Sequence, residues 1–218
     1  MQHFIEHDVI HGIWHVDRGI LRTVKDLFTR PGHSVRAFVL GKRANYFNFI
    51  TLLLTLLAIS AIVVSYAHFD MMDMMPEASR KSMNSFQKFA TKYPKVMLLI
   101  TIPFYSLFSY VWFKKAKFNL SEHLVLNSYK TAAELIIGIV FTAVTIFYTD
   151  KSGLMILYSV VVYLGSLSYT MWFYYQFFSK SGFSKSALFW RSLMVPLSYM
   201  MLSVVFGIIY GFFSAMAK

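Results

Sequence analysis

The sequence predicts an all-α integral membrane protein of about five transmembrane helices, preceded by an amphipathic interfacial helix. Three observations carry that expectation. Hydrophobic residues make up 57% of the 218 positions and charged residues only 14%, a balance that a water-soluble surface of this size does not tolerate. Long stretches free of Asp, Glu, Lys and Arg recur along the chain. The 21 Lys and Arg residues sit in short segments between those stretches. A formal charge of +11 distributed in this way points to anionic lipid headgroups as the counter-charge and not to nucleic acid.

The uncharged runs extend from Ala44 to Phe69, Val96 to Phe113, Leu135 to Thr149, Ser152 to Ser179 and Ser192 to Ala217. Crossing the hydrocarbon takes about 20 helical residues at about 1.5 Å each, and four of the runs meet or approach that length. The third does so only if its helix begins near Ser121 and carries Lys130 and Glu134 into the membrane. The alternative is four spans, with the third helix lying flat. Residues 1–44 then form a cytoplasmic amphipathic segment and 45–218 a five-span domain. Because Met1 to Ala44 is charged throughout, and the first apolar run is too long for a signal-peptide core, the first span is expected to be retained.

Direction follows from the positive residues. Alternate compartments hold 14 and 7 Lys and Arg, and the richer side, with the N-terminus, is expected in the cytoplasm. Trp14, Trp112, Trp172 and Trp190 then all fall at the cytoplasmic side, where amphipathic indoles belong. The expected localisation is a bacterial inner membrane, with an external C-terminus.

Ahead of the first span, Ile13, Ile20, Val24 and Leu27 recur at helical spacing, while Arg18, Arg22 and Lys25 fall away from that stripe. This describes a helix lying in the interface, ended by Pro31 and Gly32. A short apolar element, Val35 to Leu40, precedes Gly41, Lys42 and Arg43. Arg18, Arg22, Lys25, Arg36, Lys42 and Arg43 are the candidate headgroup contacts. Asp17-Arg18-Gly19, Arg30-Pro31-Gly32, Gly41-Lys42-Arg43 and Tyr46, with a later Glu122-His123-Leu124, resemble a family of bacterial inner-membrane proteins known only as a domain of unknown function. The resemblance covers about the first 50 residues well and the stretch around Glu122 weakly. Longer members begin with a cysteine zinc ribbon, which a chain without cysteine lacks. The resemblance implies the membrane class and no activity.

In the third span His123, Asn127, Lys130, Glu134, Gly138, Thr142 and Thr145 follow at steps of three or four, forming one polar and small stripe. Such groups face a bundle interior or a wet cavity, and Lys130 can pair with Glu134 one turn later. The stripe therefore reads either as packing or as the lining of a conduit. Ser203, Gly207 and Gly211 in the last span, with Ser214 following, offer a small-residue face for close helix packing, internal or between copies. Pro103 and Pro196 fall inside spans two and five.

Other patterns carry less. His3, His7, His11 and His15 recur every four residues, and His7 and His11 are weak candidates for zinc. Gly12 interrupts that helix, and the stripe rotates by about 40° per step, so no metal site is expected. Met71, Met72, Met74 and Met75, ahead of Pro76 and a surface helix from Glu77 to Lys92, suit packing on a membrane better than cuprous copper. No Gly-x-Ser-x-Gly, His-Glu-x-x-His, phosphate loop or acidic metal cluster occurs. The expected function is a non-enzymatic scaffold, lipid-handling protein or regulatory subunit without a cofactor. Its partners would be lipids and a second copy or another membrane protein. A small channel or transporter subunit lined by span three, and a membrane enzyme of unrecognised chemistry, are the alternatives.

Overall fold

The computed structural model describes residues 10–67, 77, 83 and 85–216. Among these residues all regular structure is helical, and five helical stretches are long and apolar enough to cross a membrane. Two helices precede them: α1 (Ile10–Thr29) and α2 (Pro31–Val39). The spans are α3 (Phe49–Tyr66), α5 (Pro94–Trp112) and α6 (Leu120–Phe147). The fourth is a composite of α7 (Lys151–Leu157), a π-helical segment (Tyr158–Leu164) and α8 (Gly165–Phe178). The fifth span lies in α9 (Lys185–Met216). Helix α4 (Ser85–Lys92) lies between the first two spans. It falls within the stretch where a surface helix is expected, Glu77 to Lys92; residues 78–82 and 84 of that stretch, and Met71, Met72, Met74, Met75 and Pro76 ahead of it, lie outside the described residues.

Local chemistry sets the helix starts. Asn48 accepts the Ile50 amide at 2.9 Å to cap α3, and Asp150 accepts the Gly153 amide at 2.7 Å to cap α7. Asn119 and Glu122 form a reciprocal capping box at α6. That box explains how the third span gains its length: the helix begins ahead of Ser121 and takes the charged residues with it. Proline occupies the first turn of α2 and α5, where its missing N–H costs nothing. The expected stop at Pro31-Gly32 is therefore a break of one residue, after which the chain turns into α2.

Helix α6 is the axis of the bundle, packed against α3, α5, α2 and the π-helical segment; α8 packs on α2 and α9, and α9 on α5. Burial is uneven along the membrane normal. Leu52, Leu53 and Leu56 of α3, Leu126 to Leu135 of α6, Tyr169 to Phe178 of α8 and Leu188 to Val195 of α9 hold most of the buried side chains. All lie in the half of each span next to the basic loops. Phe113 stacks on Phe178 with ring centroids 3.8 Å apart, and Phe118 and Phe177 extend this aromatic layer. In the opposite half, buried residues are few: Ser60, Thr145 and Leu154.

The stripe of α1 meets protein more than lipid. Leu27, Thr23 and Asp26 are buried, and the Tyr169 hydroxyl donates to the Leu27 carbonyl at 2.9 Å. Leu21 and Phe28 are exposed on one flank, with Arg22 and Lys25 beyond them. The helix is thus docked along its stripe, with an apolar edge and a basic edge left outward.

Candidate functional site

Helix α6 turns His123, Asn127, Lys130 and Glu134 inward against α5 and α8, and the four join two connected polar groups. In the first, Ser109 Oγ lies 2.8 Å from His123 Nδ1 and accepts Asn127 Nδ2 at 3.0 Å. Asn127 Nδ2 also donates to the His123 carbonyl, and the Tyr174 hydroxyl donates to Asn127 Oδ1 at 2.5 Å. Phe178 stacks on the imidazole and Tyr110 meets it edge-on. His123 Nε2 and Thr131 Oγ1 are buried without a hydrogen-bond partner.

In the second group, Lys130 Nζ donates to both carboxylate oxygens of Glu134 at 2.8 and 2.9 Å. The same ammonium lies 3.7 Å from the centroid of the Tyr105 ring, and Thr170 donates to Glu134 Oε1. The lysine side chain is 1% exposed and the glutamate 10%. Desolvation of two ions is costly unless geometry and added hydrogen bonds compensate, and here a ring face and a threonine supply that compensation. Farther along, Thr142 and Thr145 return their hydroxyls to carbonyls of their own helix. A side chain at Gly138 would meet open space.

The expected headgroup cations separate into two kinds. Arg22, Lys25, Lys42 and Arg43 are exposed, with Arg22 beside the Tyr46 ring and Arg43 beside Phe38. Arg36 is committed to protein: it donates to the Phe177 carbonyl at 2.9 Å and to Ser181 Oγ at 3.0 Å, over the Phe118 ring. Burial holds its pKa below the usual arginine value. His33 is held below 6.5 by burial first, then by Lys180, Arg36 and Arg30. The Arg18 side chain lies outside the described residues, as does His7; His11 is placed only by the backbone of α1. Among the described residues no three His, Cys, Asp or Glu side chains could hold a metal together.

The small-residue face of α9 finds no partner within the bundle at Gly207, where an added Cβ would meet nothing within 4 Å. Ser203 is exposed and bonds to its own helix; Gly211 continues the face by register. Gly32 is the opposite case. An added Cβ there would lie 2.2 Å from the Phe177 nitrogen and 2.3 Å from the Phe173 oxygen, so α2 touches α8 backbone to backbone.

Sequence reasoning missed the partners that come from other helices: Ser109 and Tyr105 of α5, Thr170 and Tyr174 of α8. Ser106 and Ser109, three apart in an apolar span, were the legible signal, because small hydroxyls admit a close neighbour. The Asp26–Arg30 pair at 2.9 Å was legible as an i, i+4 spacing.

No curated protein and no solved structure matches the chain. Residues 17–61, which run from α1 through α2 into the first span, match a family described as "Protein of unknown function (DUF3667)".

Proposed function

We propose that the protein is a non-enzymatic scaffold or regulatory subunit of the bacterial inner membrane. It would hold anionic lipid at a cytoplasmic basic face and a second membrane helix along the distal half of α9. The N-terminus is cytoplasmic and the C-terminus external, as the positive residues argue. One observation carries this reading. Consecutive residues of α9 are exposed over nearly two turns, from Ser203 through Val204 at 60% and Ile208 at 67% to Ile209 at 47%. A span at the rim of a bundle shows one face to lipid; this one shows all of them, Gly207 included. Close backbone approach at small residues is the usual way to cover such a face.

The ionisable stripe supports the same reading. Lys130 and Glu134 satisfy each other with help from Tyr105 and Thr170, so they act as a buried fastening. The conduit alternative would need that pair to face water, and the enzyme alternative a reactive group beside an open site.

The test is the assembly state of the purified protein in mild detergent. Native mass spectrometry is expected to show a dimer that Gly207→Ile and Ser203→Ile each shift to monomer, with unchanged helix content. A monomeric wild type, or a dimer indifferent to both substitutions, removes the α9 interface.

A further inference from the structure

Two contacts fix α2 against the cytoplasmic end of α8. At Gly32 the helices touch backbone to backbone, beside Phe173 and Phe177. One turn on, Arg36 donates to the Phe177 carbonyl and to Ser181 Oγ. His33 follows the first contact on α2, and Lys180 precedes the second on the turn after α8, so the two are pinned on the same corner. Of the charges acting on His33, that of Lys180 is the largest, ahead of Arg36 and Arg30.

This corner gathers positive groups from two elements and has no free acid to balance them. Asp26 is bound to Arg30, Glu122 caps α6 and Glu134 is held by Lys130, and these are the side-chain carboxylates described on the side of the basic loops. His33 and Lys180 are exposed, and neither has a hydrogen bond or ion pair among the described residues. Arg36 is only partly buried and makes both of its protein hydrogen bonds through Nη1. Its Nε and Nη2 have no acceptor among the described residues. Like charges held together by rigid contacts are destabilising, and an anion between them reverses that sign. A guanidinium with free donors beside an ammonium suits a phosphate.

Below the cations is an aromatic shelf. Phe28 of α1 and Trp172 of α8 flank Tyr169, with ring centroids 5.9 and 6.1 Å from it, and each is 38% exposed. Trp172 comes eight residues before Lys180, about 12 Å along α8, the depth of an upper acyl chain below its phosphate. We propose that this corner binds an anionic phospholipid, with its phosphate among Arg36, Lys180 and His33 and its acyl chains descending past Trp172 and Phe28. Charge selects the headgroup, and the shelf selects a lipid over a free anion. This inference rests on the lipid-holding part of the proposed function and gives it a site.

His33 couples the site to pH. Without lipid, burial and then Lys180, Arg36 and Arg30 oppose its protonation, while Asp26 of the adjoining α1 is taken by Arg30. A phosphate offsets those three charges. Lipid binding therefore carries proton uptake with it and strengthens as pH falls through about 6.5.

The full chain in mild detergent is titrated with dioleoyl phosphatidylglycerol, dioleoyl phosphatidylcholine and glycerol phosphate at pH 7.5 and 5.5, and adducts are read by native mass spectrometry. Phosphatidylglycerol is expected to bind at least about five-fold more tightly than phosphatidylcholine at pH 7.5, with no glycerol phosphate adduct. Lys180→Gln should weaken phosphatidylglycerol about five-fold and leave phosphatidylcholine unchanged. Lys25→Gln removes an equal charge elsewhere on the cytoplasmic face and should change neither. Lowering the pH should strengthen phosphatidylglycerol about three-fold or more in the wild type and not in His33→Gln. Both side chains are exposed, so the variants keep the packing, which helix content and melting temperature at pH 7.5 verify. Equal weakening in Lys180→Gln and Lys25→Gln overturns the site while the lipid-holding reading stands. No preference between the lipids in the wild type removes that reading and the site together. Glycerol phosphate binding as tightly as the lipid overturns the lipid, and the same pH response in His33→Gln as in the wild type overturns the place of His33. Gly207→Ile is expected to keep the phosphatidylglycerol preference whatever its assembly state, which separates this inference from the α9 interface.

Discussion

Replacing Lys130 by methionine keeps the length of the side chain and removes the ammonium from its place between Glu134 and the Tyr105 ring. The carboxylate is left with Thr170 alone, at 10% exposure. Removing one partner of a buried pair costs about 3–5 kcal/mol, whereas an exposed i, i+4 pair is worth about 0.3–0.5 kcal/mol. Lys130→Met should therefore lower stability by about 3–5 kcal/mol. Glu134→Gln should cost about 2–3 kcal/mol, because the amide oxygen still accepts from Lys130 and the ring face stays in place. The double variant buries no ion and should lose only about 1–2 kcal/mol, which makes the coupling between the two sites at least about 3 kcal/mol. Equilibrium unfolding in mixed dodecylmaltoside and dodecyl sulfate micelles, followed by tryptophan fluorescence, measures all three. Helices persist in such micelles, so the unfolded state keeps an exposed version of the same pair, and the coupling isolates its desolvated part. A coupling of about 0.5 kcal/mol or less would mean that the pair is solvated. Water would then reach the middle of α6, and the conduit reading would displace the scaffold.

Gly32→Ala puts a methyl group into the backbone of α8 and should cost about 3 kcal/mol or more in the same assay, since neither helix can yield a side chain. Gly138→Ala, in open space, should range from neutral to about 1 kcal/mol stabilising, and equal effects at the two sites would refute the close α2–α8 contact. His33 resists protonation in the folded protein because of burial and of Lys180, Arg36 and Arg30. The unfolded chain takes up that proton near pH 6.5, so this stabilising increment is present above that value and is lost as pH falls below it. Melting temperatures between pH 7.5 and 5 should fall more for the wild type than for His33→Gln; parallel curves would dismiss the effect. For direction, the absence of cysteine permits single labels: Lys88→Cys should react with an impermeant thiol reagent on whole cells, and Ser184→Cys only after permeabilisation. The reverse pattern would overturn the charge argument.

The spans were legible because apolar length and the spacing of charge are local properties. The start of α6 was expected near Ser121 from the length a span needs, and the reciprocal cap of Asn119 and Glu122 that fixes it was not read from the sequence. The Lys130–Glu134 pair was readable from an i, i+4 spacing on one helix, but Tyr105 and Thr170, which complete it, sit 25 and 36 residues away in sequence from one or other partner and carry no pattern that points there. Arg36 shows the limit most clearly. By sequence it is one of several cations near a membrane surface, and only the arrival of α8 makes the Phe177 carbonyl and Ser181 its acceptors. Ser192 was invisible for a related reason: its hydroxyl is buried without a hydrogen-bond partner, and nothing in the chain marks that. Gly32 was noticed as a helix stop, and its larger role as the contact with α8 needed the third dimension.

The uneven burial along the bundle has a consequence for what counts as the native state. Next to the basic loops, aromatic side chains fill the space between helices, and the protein is its own packing material. In the other half of the membrane, α3, the π-helical segment and α9 turn large apolar side chains such as Ile62, Val160 and Ile208 outward. There the gaps between helices must be filled by hydrocarbon tails. One leaflet is then a solvent for this protein and the other a structural component of it. Thinning or stiffening the second leaflet changes the spacing of helix ends that no side-chain core holds, while the opposite ends keep theirs.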